Sequence, residues 1–281
     1  MKARPGTPPS RDATADPMPV APRAGRPGWG RPGEKGFVEH HGHTTDIAIV
    51  LNRPKYAGNV GSAARCAKNM GIGRLIVVGR RDLDEEELRM RATHEAADLI
   101  DRLEHRDGLG EALGEFRYCI GTTARLGDGR GPVVSPREMA TKLAALPPDN
   151  AVALLFGPED TGLTNDDLKF CHLVVNIPTA GFKSLNLSHA VMILAYEILV
   201  ARWTGRKAAG HRLASVAELE GMYNQVEDLL KRIGFLNPQN PGYWMMHLRR
   251  LFARTGLTAK EVKILRGICR QVDWHTENKK A

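Results

Sequence analysis

The sequence predicts an α/β fold in which a mostly parallel sheet is flanked by helices, followed by a small all-helical extension. Three observations predict it. Between residues 46 and 205, short apolar runs alternate with helical patterns, which is typical of parallel sheets covered on both faces. Residues 206–281 hold only helical patterns, and residues 1–45 hold eight of the 17 prolines. Because this first segment has few apolar side chains to offset its ordering entropy, we expect it to be disordered.

The middle segment, residues 46–205, is predicted to form one domain. The continuous apolar run at 47–51 predicts a buried strand, and small apolar residues at 59–70 predict a helix that ends at Gly71. Ser135 as a cap and Pro136 in the first turn predict the start of a later helix. Further strands are predicted at 75–78, 118–121, 151–156 and 173–177, and further helices at 85–91, 95–102, 136–145 and 187–203.

The last segment, residues 206–281, is predicted to be a basic helical domain. Apolar residues recur at helical spacing in three stretches between 215 and 281. The segment carries 14 Lys/Arg against seven Asp/Glu, whereas residues 46–205 carry 19 against 21. A basic end on a near-neutral body favours a polyanionic partner such as nucleic acid, although a solvated surface would have the same composition.

Several classes of protein are disfavoured by the sequence. No apolar run approaches the roughly 18 residues of a membrane helix, and no secretory signal is recognisable, so we expect a cytoplasmic protein without a membrane partner. The cysteines stand far apart and form no CxxC pair, which indicates neither a metal site nor a disulfide framework. They are Cys66, Cys119, Cys171 and Cys269.

Four loops that follow predicted strands are candidates for chemistry, because ligands of such sheets bind beyond the carboxyl ends of the strands. They span residues 52–65, 121–125, 156–163 and 177–188. Each has an ordinary structural explanation. Arg65 suits a surface ion pair, Glu159 suits a cap on the helix starting near Thr164, and Ser184 or Asn186 suits a cap on the long helix. No dinucleotide fingerprint, Walker lysine or nucleophile elbow is present.

The order of these loops resembles a known family. Asn59-Val-Gly-Ser-Ala-Ala-Arg65, then Gly157-Pro-Glu-Asp-Thr-Gly-Leu163, then Ser184-Leu-Asn-Leu-Ser188 resemble the three signature motifs of the SPOUT, or trefoil-knot, RNA 2′-O-methyltransferases. The loop 121–125 and the basic tail resemble the TrmJ branch in particular. The resemblance implies a knotted C-terminal part of the sheet, S-adenosylmethionine as cofactor, a homodimer, and tRNA position 32 (cytidine or uridine) as target. Pro158 departs from the pattern, since relatives often have arginine there.

The resemblance also implies the site residues. The family's catalytic set falls on Arg65, Ser184, Asn59, Glu159 and Asn186. Its cofactor-binding set falls on Thr122, Thr123, Ala124, Gly157, Ile177, Lys183, Ser184 and Leu185. Because a guanidinium stays protonated in proteins, we expect Arg65 to stabilise negative charge that develops on the ribose oxygen rather than to remove its proton. Ser184 and Asn59 are expected to orient the ribose and Glu159 to secure its loop.

Three alternatives stay open at the level of sequence. The motifs are shared by enzymes that methylate ribosomal RNA or other tRNA positions. The basic tail alone would suit a non-catalytic RNA-binding protein. A nucleotide-binding oxidoreductase would share the α/β pattern, although the dinucleotide fingerprint is missing.

Overall fold

The sheet forms the centre of the protein, seen here in a computed structural model that describes residues 47–125, 133–147, 149–180, 184–204, 212–237 and 240–278. Seven parallel strands lie in the order β3-β2-β1-β6-β4-β7-β5. They are β1 Ile47–Asn52, β2 Arg74–Val78, β3 Glu104–Arg106, β4 Tyr118–Thr122, β5 Val133–Val134, β6 Val152–Phe156 and β7 Leu173–Val175. Strand β1, an interior strand of the sheet, is buried along its whole length, as its unbroken apolar sequence predicts.

Helices cover both faces of this sheet. In chain order they are α1 Ala57–Asn69, α2 Glu85–Ala92, α3 Ala97–Asp101, α4 Leu109–Leu113, α5 Pro136–Ala144, α6 Asn165–Leu168 and α7 Leu187–Thr204, with a 3-10 turn at His94–Ala96. The larger core packs the side chains of α1, α5 and α7 on one face, including Val60, Met139 and Val191. The smaller core on the other face contains Phe116 and Leu168.

The tail consists of α8 Val216–Arg232, α9 Pro241–Ala253 and α10 Ala259–Asn278. Its own core includes Met222, Tyr223 and Met245. The tail is also tied to the sheet, because the backbone N–H of Val216 donates to Phe116 O (2.8 Å) and the Val216 side chain belongs to the smaller core. Along the described ranges, no helix is both long and apolar enough to cross a membrane.

The predicted fold class is confirmed: a parallel sheet lies between helices and a helical extension follows. The five predicted strands are present, and two short strands, β3 and β5, were not predicted. Strand β3 has the polar sequence Glu104-His-Arg106, so nothing in it marks a strand, and it forms only by pairing with the edge of β2. The knot and the boundaries at 45 and 205 stay predictions. Residues 1–45 lie outside the described residues.

Candidate functional site

The loops predicted to carry chemistry meet at one edge of the sheet. Strands β1, β6, β4 and β7 are consecutive neighbours in the sheet and run parallel. Their carboxyl ends therefore lie side by side, and the loops that follow them share one edge. Segments that are about 100 residues apart in the chain come into direct contact there.

A cleft of about 280 Å³ opens between these loops. Its apolar wall includes Phe156, Leu163 and Val175, and its polar groups include Thr122 and Ser184. All described members of the predicted cofactor-binding set line it: Thr122, Thr123, Ala124, Gly157, Ile177, Ser184 and Leu185. Lys183, the remaining member, lies outside the described residues. A mixed apolar and hydroxyl lining of this kind is typical of sites for organic ligands.

One asparagine joins three of the loops. Asn59 Nδ2 donates to Glu159 Oε1 (2.8 Å), and Asn59 Oδ1 accepts from Asn186 Nδ2 (2.8 Å). Asn186 Oδ1 in turn accepts from the backbone N–H of Ser188 (2.9 Å) and from its hydroxyl (2.7 Å). Three predicted catalytic residues thus form one continuous hydrogen-bonded row, of which Glu159 lines the cleft.

Asn186 and Glu159 differ in whether they cap a helix. Asn186 does cap α7, because it accepts from the N–H of Ser188 in the first turn. Glu159 does not cap α6, so that expectation is wrong: Thr164 is the cap, and it forms a reciprocal capping box with Asp167. The Glu159 carboxylate instead faces the start of α1, accepting from Asn59 and from the backbone N–H of Lys55 (2.8 Å). Helix α1 has no acidic residue in its own first turn, so Glu159 supplies the negative charge that a helix N-terminus favours.

A second contact holds the same two loops together. The Lys55 ammonium pairs with the Asp160 carboxylate. The hydrogen bond from Lys55 lowers the pKa of Asp160, and the same bond raises the pKa of Lys55. Both side chains are about half exposed, so solvent screens this pair and its contribution to stability is small.

The loop after β6 folds back tightly on itself. Gly162 has φ +62°, which favours glycine, and its N–H donates to Pro158 O (2.8 Å). A Cβ on Gly157 would lie 2.4 Å from the backbone of Gly162 and of Leu163. Only glycine fits at 157. The close approach of the two ends of this loop shapes the wall of the cleft.

Arg65 lies away from this cleft. It is exposed on α1, two turns into the helix, and does not line the cleft of its own chain. It forms no hydrogen bond or ion pair with any described residue, so the surface ion pair considered above is not made. The neighbouring Cys66 Sγ does approach α7, at 3.5 Å from Ser188 O.

Two site residues were missed by sequence reasoning. Lys55 and Arg53 both lie in the first loop, and both pair with the segment that follows β6. The only signal in the sequence is two cations on either side of Pro54, directly after a buried strand. That pattern does not identify the carboxylates they contact, which lie more than 100 residues away.

Comparisons with known proteins agree with this geometry. The model of the SpoU rRNA methylase family matches residues 46–196, and the model of the TrmJ C-terminal domain matches residues 217–281. A tRNA (cytidine/uridine/adenosine-2′-O-)-methyltransferase, TrmJ, of Pseudomonas aeruginosa is 37% identical over 79% of this chain and 91% of its own length. The tRNA (cytidine/uridine-2′-O-)-methyltransferase TrmJ of Sodalis glossinidius is 39% identical over 83% and 92%. The crystal structure of TrmJ from Z. mobilis ZM4 superposes with a TM-score of 0.71 at 28% identity, covering 81% of this chain and 99% of that one.

Proposed function

This chain belongs to the SpoU rRNA methylase family, and we propose that it transfers a methyl group from S-adenosylmethionine to a ribose 2′-hydroxyl of tRNA. The observation that carries the proposal is the hydrogen-bonded row of Glu159, Asn59 and Asn186 beside a cleft of mixed polarity. The tail and the named relatives favour tRNA over ribosomal RNA.

The lining of the cleft suits the donor chemically. An adenine ring would pack on apolar side chains such as Leu163 and Ile177, and ribose hydroxyls would find Thr122 and backbone groups. When bound there, S-adenosylmethionine supplies an electrophilic methyl group. Glu159 and Asp160 at the rim place negative charge near a ligand that carries positive charge.

The hydrogen-bonded row of Glu159, Asn59 and Asn186 positions the nucleotide and does not remove the proton of its ribose hydroxyl. Both Glu159 oxygens already accept hydrogen bonds, and Asn59 uses its amide oxygen and nitrogen to join Glu159 and Asn186. This arrangement fixes the loops around the reacting groups. Ser184 is exposed at the cleft, so its hydroxyl is available to orient the ribose. Positioning of this kind accounts for a large part of the rate in reactions that need in-line approach.

Arg65 supplies the positive charge that stabilises the ribose oxygen as its bond to the methyl carbon forms and its proton passes to solvent water. Because Arg65 does not line the cleft of its own chain, we infer that it acts on the ribose at the cleft of a second subunit. The proposed enzyme is a homodimer in the cytoplasm. Position 32, with cytidine or uridine, is the proposed target nucleoside.

The central test measures methyl transfer from labelled S-adenosylmethionine to tRNA isolated from cells that lack the enzyme. We expect wild-type protein to label tRNA, and nucleoside mapping to place the label on the ribose at position 32. Arg65→Ala should lose at least about 100-fold in kcat while donor affinity by calorimetry stays unchanged. Label in ribosomal RNA alone would reassign the substrate. Absence of donor binding by the wild type would contradict the proposal.

A mixed-dimer experiment tests the placement of Arg65. At pH 8.5, Arg65→Ala and Asn59→Asp should each be nearly inactive alone. If Arg65 acts on the cleft of the other subunit, mixing the two variants and letting subunits exchange restores one intact site per mixed dimer. Activity should then recover to about one quarter of the wild-type value, because half of the dimers are mixed and each has one working site. No recovery in verified mixed dimers would place Arg65 in the cleft of its own chain.

A further inference from the structure

Arg53, directly after β1, has a strained backbone and a side chain that is held by an ion pair. Its φ is 52°, in the left-handed region that residues other than glycine seldom adopt. The backbone N–H donates to Val78 O (2.8 Å), which extends the pairing of β1 with β2 by one residue. The side chain lies close to Gly79, where a Cβ would lie 3.1 Å from Arg53 Cγ. The backbone conformation and the contact with Gly79 therefore restrict the direction of the Arg53 side chain.

The Arg53 guanidinium contacts the carboxylate of Asp167 in α6. Arg53 Nη2 lies 3.2 Å from Asp167 Oδ1 and 3.0 Å from Oδ2. The Asp167 side chain is 12% exposed, whereas that of Arg53 is 51% exposed. Asp167 Oδ2 also accepts from the backbone N–H (2.9 Å) and the hydroxyl (2.8 Å) of Thr164. One carboxylate thus joins Arg53 to the capping residue of α6.

Thr164 is where the loop after β6 ends. The loop begins at Gly157, directly after β6, and its two ends are packed backbone to backbone. Because the loop is this tight, the position of Thr164 determines where Glu159 lies. A contact that holds Thr164 therefore acts on the wall of the cleft and on the residue that meets Asn59.

Stability does not explain why an arginine stands here. The Arg53 side chain is half exposed, so solvent screens its pair with Asp167, and an arginine in the left-handed region is less favourable than a glycine would be. We propose that Arg53 is a positioning residue for methyl transfer: through Asp167 and Thr164 it sets the loop that carries Glu159 against the cleft. This inference rests on the proposed function and adds a residue that touches neither donor nor ribose.

The test compares Arg53→Gly with wild type in the full-length protein, using the methyl-transfer assay on tRNA. Glycine suits the backbone, so the melting temperature should be unchanged or higher. We expect kcat to fall about tenfold, because a small misplacement of reacting groups lowers the rate strongly. KM for tRNA should stay within about twofold. Arg53→Lys keeps the charge and should restore part of kcat. Arg81→Gly is the matched control, since Arg81 forms an exposed ion pair with Asp107 away from the cleft and should keep wild-type kcat.

Asp167→Asn completes a double-mutant cycle, because it retains an oxygen for the Thr164 cap but weakens the pair with Arg53. The double variant should lose no more kcat than the worse single variant. Full additivity, or wild-type kcat in Arg53→Gly, would overturn the inference while the proposed function stands. A raised KM with unchanged kcat would also overturn it, because Arg53 would then contact RNA directly. Lack of methyl transfer by the wild type and Arg81→Gly alike would instead refute the proposed function.

Discussion

Replacing Asn59 by aspartate isolates the contact between Asn59 and Glu159 with almost no change in shape. The substitution removes the Nδ2–H that donates to Glu159 Oε1 at 2.8 Å and places a second carboxylate there. Losing a hydrogen bond to a charged group costs about 1.5–3 kcal/mol, which corresponds to about a 10- to 100-fold loss of kcat/KM. Two unit charges about 4 Å apart also repel by about 4 kcal/mol at an effective dielectric of about 20.

This repulsion determines how the activity of Asn59→Asp should change with pH. Two carboxylates in contact do not both lose their protons as readily as one alone, so the pair retains one proton to a higher pH than a single carboxylate does. A proton shared between them restores a hydrogen bond. Asn59→Asp should therefore be least active at pH 8.5 and regain activity as the pH falls. Asn59→Ala cannot recover in this way and should stay low throughout.

The assay is methyl transfer to tRNA at a series of pH values, with each variant expressed relative to wild type at the same pH. Asn69→Asp is the matched control, because it is the same change at an exposed position near the end of the same helix. It should follow the wild-type profile. Wild-type activity of Asn59→Asp at pH 8.5, or identical profiles for Asn59→Asp and Asn59→Ala, would refute the reasoning.

Three further outcomes are expected. Gly157→Ala should weaken donor binding at least about tenfold in calorimetry, because the added methyl overlaps backbone, while Gly73→Ala, with open space around it, should bind normally. Burial lowers the pKa of His172 to about 4, whereas in the unfolded chain this side chain takes up a proton near pH 6.5. The free energy of unfolding should therefore fall by about 3 kcal/mol as the pH drops from 6.5 to 4. In urea titrations at pH 7 and pH 4.5, His172→Asn should remove this part of the pH dependence. The affinity for tRNA should fall steeply as the salt concentration rises. Arg250 and Arg254 form no ion pair with any described residue, so replacing either by alanine should lower the slope of log K against log salt by about one. A flat salt response would exclude phosphate contacts by the tail.

The sequence predicted the fold where hydrophobic burial decides it. Strand β1 and helix α1 are marked by apolar side chains with the correct period, and both are present with nearly the predicted bounds. Strands β3 and β5 could not be found in this way, since three polar residues and two valines form strands only because a neighbouring strand offers its edge. Pairing with a neighbour is a property of the assembled sheet and leaves no periodicity in the segment itself.

The site was predicted in part, for a similar reason. The order of the motifs identified which loops meet, and Asn59, Glu159 and Asn186 do meet. The role of Glu159 as a helix cap was wrong because the neighbouring Thr164 has its own partner in Asp167, three residues on, which makes a better cap. The contact of Arg53 with Asp167 joins residues 114 positions apart, and no local pattern encodes such a partner.

The polar row at the cleft has a consequence for the time at which the enzyme becomes competent during its synthesis. Asn59 must wait for Glu159, 100 residues later, and for Asn186, 127 residues later, before its amide group has both partners. A nascent chain that ends just before residue 186 contains all seven described strands but no completed row. The hydrogen-bonded row of Glu159, Asn59 and Asn186 therefore cannot assemble until the start of α7 has been translated.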